Sequence, residues 1–267
     1  VPTVRAGDIE LSYERSGSGP PLLLIMGMSG TALHWGEPFL ELLRRDFEVI
    51  AFDHRGVGAS TRLDGEITTA AMAADASALL AALEIESAHV LGISMGGMIA
   101  QELALDHPEQ VRTLTLGCTY CGGPDGRLSA PEVTQLLAES LMSGDRERAL
   151  RTAWELNVSK TMAADGEAYA TFLAIAERGA VAVPVIMAQL QACRAHDTSA
   201  RLAELSAPTL VIHGTDDQLL PVSNGRQIAG LIAGSKLEIF DGTGHLFFWE
   251  QPERTAELVR SHAAVPA

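Results

Sequence analysis

The chain has 267 residues, a formal net charge of −15 from 19 basic and 34 acidic side chains, and an apolar fraction of 47%. That length suits one large domain or one domain carrying an insertion. The acidic balance disfavours nucleic acid, whose phosphates need a basic face, and no apolar run approaches the roughly 18–20 residues of a membrane span.

In chain order, the opening VPTVRAGDIELSYERSGSGP alternates and carries charges early, unlike a secretory signal. Within it, residues 9–14 read as an edge hairpin strand. Residues 22–26 (LLLIM), 47–52 (FEVIAF), 89–93 (HVLGI), 114–117 (LTLG), 209–213 (TLVIH) and 237–240 (LEIF) are nearly continuous apolar runs. Such runs suit strands buried on both faces of a parallel sheet. Between them, helical periodicity covers 38–45, 69–83, 95–106, 222–232 and 252–262. The alternation breaks once, from 122 to about 205, where only helical periodicity is found. There, Ser129 with Glu132 reads as a capping box opening a helix through Met142. Helices over 146–156, 167–178 and 184–195 follow, separated by Gly144, Gly166 and Gly179. The expected architecture is α/β: a mostly parallel central sheet flanked by helices, with right-handed crossovers and an inserted helical cap. The core spans 1–121 and 206–267, and the cap spans 122–205. Three cysteines without framework spacing point to a reducing compartment, so the expected location is the cytoplasm.

Residues 89–101, HVLGISMGGMIAQ, set a serine among glycines between an apolar run and a helical one. Glycine inside regular structure costs about 0.5–1 kcal/mol relative to alanine. Gly92-Ile93-Ser94-Met95-Gly96 matches the G-x-S-x-G turn, in which small neighbours let a strained serine stand exposed between strand and helix. A serine hydroxyl needs a base, and the base needs an orienting acid. Of the eight histidines, His54, His89, His107 and His213 lie at element ends, His196 in the helical insertion and His262 in the tail. His34 lacks a third group to orient it. His245 follows the run 237–240 in the loop Asp241-Gly-Thr-Gly-His245, at the sheet edge where open α/β sheets hold ligands. The acid falls on Asp217 or Asp216 in GTDDQLLP at 214–221, with Asp217 preferred because Asp216 comes early enough to serve the turn.

With GISMGG at 92–97, DHRGVGAS at 53–60, GTDDQLLP at 214–221 and GTGH at 242–245 in this order, the chain resembles the α/β-hydrolases, in their cap-bearing esterase-like branch, over nearly its whole length. The resemblance implies a triad of Ser94, Asp217 and His245, and a small-molecule substrate with no metal or organic cofactor. It makes DHRGVGAS a structural turn without catalytic duty for Asp53 or Arg55. The family's His-Gly after its third strand is here Met26-Gly27, so the implied oxyanion donors are the N–H groups of Met28 and Met95. A serine at 94 excludes relatives with an aspartate nucleophile. Hydrolysis of a carboxylic ester of a small or medium apolar substrate through an acyl-enzyme is the expected activity. Enol-lactone hydrolysis, carbon–carbon bond hydrolysis of a diketone and cofactor-free perhydrolysis use the same triad, and a slow-turnover ligand receptor is the reading from another class.

His34 and Trp35, Trp154 in the helical insertion, and Phe247 beside the histidine loop are the candidate substrate-pocket residues, with packing as their competing role. Met142, Met162, Tyr169, Phe172 and Met187 fall under the same choice. Cys118-x-x-Cys121 resembles a redox or metal pair but lacks a second pair or histidine spacing.

Overall fold

The structure, a computed structural model, describes residues 1–265. Its eight strands form one sheet: β1 (Thr3–Ala6), β2 (Ile9–Gly17), β3 (Pro21–Ile25), β4 (Glu48–Phe52), β5 (Ala88–Ile93), β6 (Val111–Gly117), β7 (Thr209–Gly214) and β8 (Lys236–Phe240). The spatial order is β1-β2-β4-β3-β5-β6-β7-β8. β2 pairs antiparallel with β1 and β4, and the remaining pairs are parallel. β1, too short and exposed to show in the sequence pattern, completes the hairpin expected of residues 9–14.

Successive side chains of a strand face opposite sides, and the core divides accordingly. Leu23, Ile25, Ile50, Phe52, Val90, Leu114, Leu116 and Val211 join one apolar cluster. Leu22, Leu24, Val49, Ala51, Leu91, Ile93, Leu210 and Ile212 join the other. Helices cover both faces. α1 (Glu37–Leu43) contributes Phe39, Leu40 and Leu43 to the second cluster. α2 (Thr69–Ala82) and α3 (Met95–Asp106) supply Met72, Leu79, Ile99 and Leu103 to the first. Full burial of such a side chain is worth about 1.5–3 kcal/mol, so these two layers fix the register of every central strand.

Between β6 and β7 lie only helices among the regular elements: α4 (Pro131–Met142), α5 (Arg146–Asn157), the single turn α6 (Lys160–Ala163), α7 (Gly166–Arg178), α8 (Val183–Ala195) and a 3₁₀ turn at Leu202–Glu204. The capping box expected at Ser129 is absent. Pro131 occupies the first helical turn, Ala130 is the N-cap, and Ser129 Oγ instead bonds Thr134 Oγ1 at 3.0 Å. Proline's fixed φ starts the helix one residue later than a Ser129 cap would. Trp154, Val158, Tyr169 and Phe172 give this segment its own small core. Met142 and Met187 are not part of it, at 87% and 52% exposure.

The chain ends with α9 (Ser223–Leu231), the single turn α10 (Phe247–Glu250) and α11 (Pro252–Ala263). His262 sits inside α11, buried, with Nε2 donating to the Pro208 carbonyl at 3.0 Å, so it belongs to the packed body and not to a loose tail. Among the described residues no single helix is long and apolar enough to cross a membrane.

Candidate active site

Ser94 is the N-cap of α3, with φ 56° and ψ −124°. A β-substituted residue in this region carries about 1–3 kcal/mol of strain. Two glycines allow the turn that imposes it. A Cβ at Gly96 would stand 2.0 Å from the Ile25 carbonyl oxygen, and one at Gly92 2.3 Å from the Gly96 oxygen. The turn is tied to the next strand by Ser94 N–H to Gly117 O at 2.9 Å and by Thr119 Oγ1 to Ser94 O at 2.7 Å.

Asp217 and His245 leave the C-terminal ends of β7 and β8, two and three strands from β5 in the same parallel set. The structure brings them together. His245 Nδ1 donates to Asp217 Oδ2 at 2.7 Å, and both side chains are buried. The other carboxylate oxygen accepts the N–H groups of Leu219 and Leu220, both at 2.9 Å. His213 Nε2, which donates to the Leu220 carbonyl at 2.7 Å, stands 3.4 Å from Asp217 Oδ2. Burial pushes the Asp217 carboxyl upward, but the two histidines outweigh it and hold the group below the usual carboxylate range. An ionised Asp217 fixes the proton on Nδ1 of His245 and leaves Nε2 as the basic nitrogen. Asp216, by contrast, is exposed; its N–H bonds Thr243 O at 2.9 Å.

Among the described residues Ser94 Oγ makes no hydrogen bond, so the serine and the Asp–His pair share one sheet edge without being joined. Two surface cavities, of about 420 and 480 Å³, lie on α8 and beside α5 and α6. Neither is lined by Ser94, Asp217 or His245, so hydrogen-bond geometry, not cavity size, locates the site.

The loop after β3 runs against the serine: a Cβ at Gly27 would be 3.7 Å from Ser94 Oγ. Among the described residues neither Met28 N–H nor Met95 N–H donates to the protein, which leaves both free for an oxyanion. The loop's supports were not legible in the sequence. His54 Nε2 donates to the Met26 carbonyl at 2.8 Å, and Asp53 Oδ1 accepts Ala32 N–H at 2.8 Å. Gln189 Oε1, reaching in from α8 and fully buried, accepts Ser29 N–H at 2.8 Å. DHRGVGAS is thus a brace for this loop, and Arg55 pairs with Asp75 at 2.6 Å. Only the fact that DHRGVGAS follows a strand end hinted at this. For Gln189 no local signal exists, because its partner lies 160 residues away.

Of the candidate pocket residues, Trp35 and Phe247 have 0% exposure and pack in the second apolar cluster, Trp35 on Phe39 and Phe248, Phe247 on Phe240 and Phe248. Trp154 is also fully buried, in the cluster with Tyr169, Phe172 and Trp249. His34 is partly exposed and meets Phe172 edge-on at 6.3 Å. Its Nδ1 accepts Thr31 N–H at 3.0 Å, and burial lowers its pKa to about 4.

Cys118 Sγ lies within 4.8 Å of ligand atoms on Asp217 and His245. Those are zinc-type donors, but burial and the neighbouring Asp217 carboxylate keep the thiol well above its ordinary range, opposing the thiolate a metal needs. Burial raises Cys121 to about 12, and neither cysteine is in a disulfide.

The family model for the alpha/beta hydrolase fold matches residues 20–252. RutD of Azorhizobium caulinodans, provisionally named a carbamate hydrolase, is 31% identical over 261 residues, 97% of each chain. A poly(3-hydroxyalkanoate) depolymerase of Ectopseudomonas oleovorans is 31% identical over 242 residues, 90% of this chain and 82% of the relative. The solved esterase RhEst1 from Rhodococcus sp. ECU1013 superposes with a TM-score of 0.84 at 26% identity, covering 99% and 98% of the two chains. The chain belongs to the α/β-hydrolase fold family and is a hydrolase of that superfamily.

Proposed function

We propose that the protein is a serine hydrolase that cleaves a carboxylic ester of a small or medium apolar substrate. The observation that carries this reading is the buried 2.7 Å bond from His245 to an ionised Asp217, on the sheet edge that also presents Ser94 at φ 56°. In this reading Ser94 Oγ attacks the ester carbonyl as His245 Nε2 takes its proton. Met28 and Met95 N–H stabilise the oxyanion, and Asp217 stabilises the imidazolium. His245 then returns the proton to the leaving alcohol. Water, deprotonated by the same histidine, hydrolyses the acyl-enzyme and regenerates Ser94. Residues 122–205 act as a cap on a core made of 1–121 and 206–267, with His34, Phe172 and Trp249 as the wall above the site and Trp154 packed behind them. The ester bond is supported by the similarity to the solved esterase RhEst1, whose name denotes ester cleavage.

The test is a turnover screen of purified protein and Ser94→Ala against esters, lactones, carbamates and vinylogous diketones. Ester turnover that disappears in Ser94→Ala supports the reading. Faster Ser94-dependent turnover of a lactone, carbamate or diketone keeps the nucleophile and replaces the substrate class.

A further inference from the structure

We propose that Glu250 is the positioning residue of His245, and that it works by clamping the histidine loop onto residues 157–159 of the helical segment. This rests on the reading of His245 as the base. Glu250 Oε1 accepts two main-chain N–H groups at once, from Gly244 at 2.8 Å and from Ser159 at 2.9 Å. Its Oε2 accepts the Ser159 hydroxyl. On the other side of the histidine, Leu246 N–H donates to the Asn157 carbonyl at 2.8 Å. Both neighbours of His245 are therefore tied, one through Glu250 and one directly, to the stretch that joins α5 to α6. The approach is close enough to require glycine at 244, where a Cβ would stand 2.5 Å from the Val158 carbonyl carbon.

Other bonds around the loop point away from the helical segment. Gln251 Nε2 donates to Thr243 Oγ1 at 2.7 Å, and the Cys118 thiol reaches the Gly244 carbonyl at 3.9 Å. Asp217 fixes only the Nδ1 side of the ring. The height of Nε2 above Ser94 is set by the main chain of 244–246, which Glu250 holds. This end of the helical segment is consequently part of the catalytic support: lifting residues 157–159 would release the histidine loop.

A misplacement of about 1 Å costs on the order of 10²-fold in rate. Glu250→Ala is accordingly expected to lower kcat by about that factor while leaving KM within a few fold. Glu250→Gln restores most of kcat, because its amide oxygen accepts both N–H groups and its NH₂ donates to Ser159 Oγ. Ser159→Ala, which loses one of the three bonds, falls between. Proton NMR provides a readout independent of turnover: the downfield Nδ1–H resonance of the Asp217–His245 bond stays in Glu250→Gln and shifts or broadens in Glu250→Ala. Wild-type kcat in folded Glu250→Ala overturns the clamp, as does a Gln variant no better than the Ala variant. If Glu250→Ala does not fold, Ser159→Ala with unchanged kcat and an unchanged resonance overturns it. His245→Ala separates the two claims: turnover surviving in that variant defeats the base assignment, whereas its loss beside a fully active Glu250→Ala defeats only the clamp.

Discussion

At the scale of single residues, the two adjacent aspartates show what sequence spacing resolves and what it leaves open. GTDD offers two carboxylates, and only the folded turn buries Asp217 against His245 while exposing Asp216. Loss of an orienting acid costs on the order of 10⁴ in rate in the serine-protease case. Asp217→Asn is therefore expected to reduce kcat by about that factor, while Asp216→Asn stays within a few fold; steady-state kinetics on one ester decides, and the reverse ranking moves the acid to Asp216. The pH profile of kcat/KM follows from the same groups. Asp217 stays ionised through the ordinary carboxylate range, and His34, held near 4 by burial, stays neutral above it. Neither group adds a limb between pH 5 and 9, so at most the single ascending limb of a general base is expected there. A second limb in that range would contradict it. The pocket residues were the least legible. Trp35 and Phe247 flank the site loops in sequence, but the short helical turns that carry them, Ala32–Trp35 and α10, pack both into the second apolar cluster.

Elements were legible where one physical rule dominated. Five buried strands, β3 to β7, showed as apolar runs because helices cover both faces of the sheet; β8 showed through LEIF although it is only half-buried, whereas β1, mostly exposed, left no such trace. The start of α4 was misplaced because Pro131 overrides a side-chain cap. The strand–serine–helix turn was readable because close packing demands its glycines. Gly96→Ala is expected to push α3 off the end of β3, costing about 1–3 kcal/mol and lowering kcat as Ser94 and Met95 N–H move. Thermal unfolding with kinetics checks this, and a variant matching wild type in both contradicts it. For the opposite wall, Met28→Pro removes the proposed donor and is expected to cost roughly 10²–10³ in kcat, while Met28→Ala stays near wild type. A folded proline variant with normal kcat places the oxyanion donor elsewhere.

Across the whole molecule, a parallel sheet places the ends of β3, β5, β6, β7 and β8 side by side, so loops distant in sequence build one site. That convergence was legible from the order of the motifs, but the brackets that tune it were not, since Gln189 to Ser29 and Glu250 to Ser159 span 160 and 91 residues. The fold also buries histidines in neutral form. Burial lowers His34 and His89 to about 4, and lowers His54 and His262 as well. An unfolded histidine takes its proton near pH 6.5, so between about 6.5 and 4 the unfolded chain binds more protons and stability falls on acidification. Asp53, raised by burial, opposes this as one group against four. A melting temperature that declines by several degrees from pH 7 to 4.5 is expected, and a flat or rising one contradicts this account of the core.

The central claim is that Ser94 is the nucleophile of an acyl-enzyme. Its most direct measurement is intact-mass analysis with peptide mapping after treatment with a fluorophosphonate, run beside Ser94→Ala. The account predicts one adduct per chain on the peptide carrying Ser94, loss of ester turnover in step with labelling, and no adduct in the alanine variant. An adduct mapped to another residue, or full turnover by the labelled protein, would contradict it.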